Sequence, residues 1–192
     1  MGRAWRYWAM DTPSAPQPEP DDKDWTWVLE RPCDQCGYDA SLIEPRELTS
    51  LIREHAAAWA DVLARPDAAT RPEPGLWSPV EYACHVRDVL VMFASRVGSI
   101  LDTDGPVFQN FDQDAAAIER GYAVADPAVV AREIDDAADF TASEFARVGP
   151  ADWGRTGTRS DGVEFSVASL GVYCIHELRH HAWDVRALNV NT

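Results

Sequence analysis

Apolar residues three and four positions apart recur along four stretches of this chain, and that spacing commits most of it to amphipathic helices packed on one another. The first stretch runs from Pro45 to about Ala64, with Leu48, Leu51, Ile52, Trp59, Val62 and Leu63 on one face. The second opens at Ser78-Pro79-Val80-Glu81, where Ser78 caps free N–H groups, Pro79 suits the first helical position and Glu81 completes a capping box. It is expected to run to about Leu101. Asp126-Pro127 repeats the cap-plus-proline start for a third helix carrying Val130, Ile134, Ala138 and Phe145, which Gly149-Pro150 ends. Ser166 caps a last helix ending near Leu188. A short helical piece is expected from Asp112 to Tyr122, and a loop or small hairpin between Trp153 and Phe165, around Ser160-Asp161-Gly162. Four substantial helices without an internal repeat predict one all-α domain, a four-helix bundle over residues 45–190, in which sites are built from facing side chains.

The chain before residue 45 has a different character. Residues 1–24 include DTPSAPQPEPDDKD, rich in proline and acid with almost nothing to bury, and predict a disordered leader, with Met10 as an alternative natural start. Residues 25–44 read as an extended strap lying on the domain, and they carry Cys33-Asp-Gln-Cys36. The start has arginines but neither an apolar core nor a cleavage site of a signal peptide, so a cytoplasmic protein with reduced thiols is expected. A formal charge of −15 repels phosphate backbones and anionic lipid, which argues against nucleic acid and membrane as partners. No apolar run approaches the length of a membrane-spanning helix. Eight tryptophans are more than one small core readily hides, which suggests a homodimer.

Chemistry concentrates in the histidines. His176 and His180 are four residues apart on the last helix, so one turn stacks both imidazoles on one face at a spacing suited to one cation. His85 shares its face of the second helix with Tyr82, Val89 and Met92, so it too is expected to point inward, where an unpaired imidazole is costly. The competing reading is that each is an ordinary hydrogen-bonded histidine. His181 is rotated by about 100° from the pair and is expected to be a supporting or surface group. Asp88 and Asp184, each one turn beyond a histidine, are candidates to orient a ligand imidazole or a substrate, with exposed helix charges as the alternative. Asn110, Asp112 and Asp114 are placed at the site mouth or, for the two aspartates, at a helix start. His55 is read as a core histidine. Arg179 and Arg186 are candidates to attract an anionic cofactor, or surface pairs.

Trp77-Ser-Pro-Val-Glu-Tyr-Ala-Cys-His85-Val-Arg-Asp88 resembles the second-helix motif of DinB/YfiT-like proteins, and His176-Glu-Leu-Arg-His180-His181-Ala-Trp-Asp184 resembles their fourth-helix motif, over about residues 46–188. The resemblance implies a bundle that binds one divalent metal ion through His85, His176 and His180, zinc first with nickel or iron as alternatives. Three neutral ligands leave a position open for water or substrate, the arrangement of a catalytic site. The superfamily includes thiol-dependent S-transferases and isomerases. With Lys23 as the only lysine among 17 basic residues, a bias of GC-rich coding, the resemblance points to mycothiol rather than bacillithiol as a low-molecular-weight thiol cofactor. The implied function is a metal-dependent enzyme of small molecules, a thiol S-transferase, isomerase or hydrolase, with no side chain identified as a general base. The alternative is a non-catalytic metal-binding or ligand-sensing bundle.

Pro32-Cys33-Asp-Gln-Cys36-Gly37 has the form of half a zinc ribbon, so Cys33 and Cys36 are candidates for a second metal site or for extra ligands that close the first. A tight turn holding the strap is the other reading. Cys84 and Cys174 are expected as small core residues.

Overall fold

The structure, a computed structural model, describes Pro18 and residues 23–186. The leader up to residue 22, Pro18 excepted, lies outside the described residues, and the last helix ends at Asp184 rather than near Leu188. The long helices are α1 (Leu48–Leu63), α2 (Pro79–Asp102), α4 (Pro127–Ala146) and α5 (Val167–Asp184), with a short α3 (Gln113–Glu119) between α2 and α4. Each begins where its local chemistry dictates. Before α1, the capping box between Glu44 and Glu47 closes a 3₁₀ turn, Pro45–Glu47, that feeds the helix. At α2 the Ser78 N–H donates to Glu81 Oε2 at 2.8 Å while Ser78 Oγ accepts from the Glu81 N–H. The Glu81 carboxylate is held in turn by the Arg71 guanidinium, whose Nε lies 2.9 Å from Oε2. Asp112, Asp126 and Ser166 cap α3, α4 and α5.

α4 packs along both α1 and α2, and α5 along both as well, so α1 and α2 face each other across one diagonal of the bundle. The consequence for function is that α5 lies beside α2. The core between the helices is filled by Trp59, Phe93, Ile134, Phe145 and Leu170, all fully buried. Contact at the α1–α4–α5 junction is so close that a methyl on Gly171 would sit 2.3 Å from Leu48 Cδ1 and 3.0 Å from Phe145 Cε1.

A small sheet caps one end. β2 (Thr156–Arg159) and β3 (Glu164–Ser166) form the antiparallel hairpin that the Ser160-Asp161-Gly162 turn signals, with Gly157 opposite Phe165. β1 (Val107–Phe108), in the loop after α2, adds to β2 in parallel, Val107 opposite Thr158.

The strap lies on the bundle against α5, and locally it is wound rather than straight. Thr26–Leu29 and Ala40–Leu42 are 3₁₀ turns. Among the described residues the β-prone run from Trp25 to Leu29 has no strand to pair with, and Asp24 Oδ1 instead accepts from both the Thr26 N–H and its hydroxyl, which starts a turn. Val28, Cys33, Cys36 and Tyr38 are buried, and the Tyr38 hydroxyl donates to the Val172 carbonyl on α5 at 2.6 Å.

Candidate metal centre

α5 carries two overlapping pairs with helical i, i+4 spacing, His176 with His180 and Glu177 with His181. Their faces differ by the rotation of one residue, about 100°. That rotation sends the two pairs to different neighbours.

The Glu177–His181 pair faces α2. The ligand atoms of His85, Glu177 and His181 all lie within 4.8 Å of one another. Glu177 Oε2 is 3.6 Å from His85 Nε2 and 3.3 Å from His181 Nε2, and the rings of His85 and His181 meet edge to face at 4.7 Å. On the far side of His181, Asp184 Oδ2 takes Nδ1 at 2.8 Å, which fixes the ring and leaves Nε2 toward Glu177. Burial opposes charge on His181, but hydrogen bonds to Asp184 and Glu177 outweigh it and raise its pKa to about 9. Burial likewise works against ionised Glu177, and the two histidines hold it well below the carboxylate range. His85 is held below the usual histidine value by burial, with Glu177 pulling the other way. Among the described residues neither ring nitrogen of His85 has a partner at hydrogen-bond distance, Glu177 lying just beyond it. A buried imidazole with unmet hydrogen-bonding nitrogens, set against a carboxylate and a second imidazole, is the donor set of a divalent ion.

His176 and His180 face the strap. Their ring nitrogens and the thiols of Cys33 and Cys36 form a second group within 4.8 Å, and all four residues are buried. The structure therefore places the sequence-predicted ligands in two groups: His176 and His180 with Cys33 and Cys36, and His85 with Glu177 and His181. His181 does point away from the His176–His180 pair, but it points to His85 and not to the surface. The cysteines meet His176 and His180, so they do not cover the His85 group.

The His85 group opens onto a cavity of about 880 Å³, which His176 and His180 line as well. Asn110, Asp112 and Asp114 line it, and Asp112 also accepts from the Ala115 N–H as the cap of α3. Trp77 and Phe111 pack on the His85 ring at 5.6 and 6.0 Å. Arg96 lines the cavity too, eleven residues beyond His85 and thus within about 20° of it on the wheel of α2. It is buried, donates from Nη2 to the Gln109 carbonyl at 3.0 Å, and makes no ion pair among the described residues. Arg179 and Arg186 do not line the cavity.

Asp88 is bound elsewhere than at His85. Its Oδ2 accepts from the Tyr122 hydroxyl and from Arg120 Nη1 at 2.7 Å, and its Oδ1 from Arg87 Nε at 2.9 Å. His55 is half-buried on α1 in neither group, and Cys84 and Cys174 are buried among core side chains.

Comparison with known proteins gives a consistent picture of the fold. The family model described as the DinB superfamily matches residues 48–185. Among solved structures, YfiT from Bacillus subtilis, described as a probable metal-dependent hydrolase with an unusual four-helix bundle topology, superposes with a TM-score of 0.65 at 16% identity, covering 74% of this chain and 85% of that one. A comparison with curated proteins found no match.

Proposed function

The chain belongs to the DinB superfamily, and from that premise we propose that it is a metal-dependent enzyme acting on small anionic molecules, with its reactive ion held by His85, Glu177 and His181. The observation that carries this reading is a group of two histidines and one carboxylate, three potential ligands in all, on the wall of a cavity. Such a set leaves coordination positions free for reactants, whereas a structural site is closed by protein on all sides. An ion bound there would supply Lewis-acid chemistry, lowering the pKa of water or of a small thiol that binds it.

The chain's own residues do the rest. Asp184 orients His181 through Nδ1, and Trp77 and Phe111 keep bulk water from the His85 face. Arg96, buried and without a carboxylate partner among the described residues, offers its charge to an anionic group of the substrate. The donor set suits zinc, nickel or iron.

Elemental analysis of untagged protein beside His85→Ala and His181→Ala tests the site. One ion should leave with either substitution. Turnover of carboxylate-bearing esters and electrophiles, measured with and without mycothiol, then separates the two chemistries: activity without thiol identifies a hydrolase, and strict dependence on it a thiol transferase. Full metal retention by both variants would refute the ligand set.

A further inference from the structure

Cys33 and Cys36 sit on a tight turn in which the Gly37 N–H donates to the Cys33 carbonyl at 2.9 Å and the Cys33 N–H to the Tyr38 carbonyl at 2.8 Å. Gly37 has φ of +68°, a conformation that side chains rarely adopt, and it lets both thiols converge on one point. That point faces α5. Cys33 Sγ is 3.7 Å from His180 Nδ1, and the rings of His176 and His180 are 4.9 Å apart. His176 is 1% exposed, and among the described residues neither of its ring nitrogens has a hydrogen-bond partner. A fully buried imidazole with two unmet nitrogens, beside two thiols and a second imidazole, requires something at the centre.

We propose that Cys33, Cys36, His176 and His180 form a second metal site, a closed tetrahedral zinc centre that fastens the strap to α5. Four protein donors from two segments distant in sequence, two sulfur and two nitrogen, match the composition of structural zinc sites and leave no position for substrate. Two thiolates balance the dication, so the buried group is neutral overall. Aromatic rings cover the site in part, and its two imidazoles also line the cavity that the His85 group borders. Trp25 packs on the His180 ring at 4.6 Å and Tyr38 on His176 at 5.5 Å, while Asp184 Oδ1 lies 3.9 Å from His180 Nε2, on the side away from the thiols. Trp25 also lines the cavity of the first site. Fastening the strap therefore positions part of that wall, and the proposal holds whether or not the first site is catalytic.

The test is metal content per chain combined with cobalt substitution of the full-length protein. Wild type should hold about two ions; Cys33→Ser/Cys36→Ser and His176→Ala should each lose one and keep the other, and His85→Ala should lose the other alone. Cobalt-loaded wild type and His85→Ala should both show thiolate-to-cobalt charge transfer in the near ultraviolet. Hydrogen exchange over residues 25–44 should accelerate in the cysteine variant while α2 and α4 stay protected. If the cysteine variant fails to fold, the wild-type cobalt spectrum decides. A spectrum without thiolate ligation, an ion count unchanged by the cysteine substitutions, or a Cys33–Cys36 disulfide in protein purified without oxygen would overturn the proposal.

Discussion

Asp88→Ala separates a residue that builds the bundle from one that serves the metal. Its side chain is 5% exposed and accepts from three donors, of which Arg120 is about half exposed at 53% and loses little when released. Arg87 keeps Glu133, whose Oε2 lies 2.6 Å from Nη1, so it is not stranded. Tyr122 is stranded: it is fully buried, and Asp88 is the acceptor of its hydroxyl. An orphaned buried hydroxyl costs about 1–3 kcal/mol, and the weakened Arg87 contact about 1 more, for a loss of about 3 kcal/mol. In a domain of this size that lowers the melting temperature by about 6–12 °C. Urea unfolding followed by tryptophan fluorescence measures it at constant m. Asp88→Asn, which still offers Tyr122 an acceptor, should lose about half as much, and Tyr122→Phe in the Asp88→Ala background should cost nothing further. Stability within about 0.5 kcal/mol of wild type, or an ion lost from the His85 group without a stability change, would refute this account and return Asp88 to the role of orienting His85.

Asp184→Ala removes the acceptor that fixes His181, and chelator competition should show the ion at the His85 group bound about 10- to 100-fold more weakly. Gly171→Ala forces a methyl against Leu48 and Phe145 and should cost about 1–3 kcal/mol by overpacking, read from urea midpoints; a neutral result would mean that α1 and α5 separate easily. In ion-free protein, His181 has its folded pKa raised from 6.5 to about 9, so the stability it contributes is complete below pH 6.5 and lost as pH rises through about 9. Melting of the chelated protein between pH 6 and 9.5 should show that fall, and His181→Gln should flatten it. Because an ion must displace the same proton, affinity at this site should rise with pH over the same window.

The fold was legible where local chemistry is unambiguous. Ser78-Pro79-Val80-Glu81 and Asp126-Pro127 each announce a helix start with their own hydrogen-bonding groups, and the structure uses those groups as read. The Ser160-Asp161-Gly162 turn announces the hairpin in the same way. The strap was less legible, since the β propensity of Trp25 to Leu29 expresses itself only beside another strand. At the site, the His-x-x-x-His spacing drew attention to His176 and His180, while Glu177 and His181 carry the same spacing one residue later. Arg96 had a readable signal, three turns beyond His85 on the same stripe, but a lone arginine on a helix looks like a surface cation until its burial is known.

Which of two overlapping pairs meets a given partner depends on the packing of the helices, which periodicity along one helix does not contain. Every residue from His176 to His181 except Leu178 and Arg179 is a potential ligand, so rotating α5 by one residue would hand one pair's partner to the other pair. The bundle fixes that rotation through side chains that are not ligands: Gly171, where α5 meets Leu48 and Phe145, and Leu170, Ile175 and Leu178, all fully buried, allow one azimuth. With that azimuth set, His85 on α2 meets the Glu177–His181 flank, and the strap brings its thiols to the His176–His180 flank. The sorting is also chemical. Sulfur donors lie with His176 and His180, where a neutral four-ligand centre tolerates burial, and the carboxylate lies with His85 and His181, where a partly ligated ion keeps positions for reactants; both groups border the cavity. Asp184 touches both flanks, at 2.8 Å from His181 and 3.9 Å from His180, so a disturbance of the strap reaches the cavity through one carboxylate as well as through Trp25.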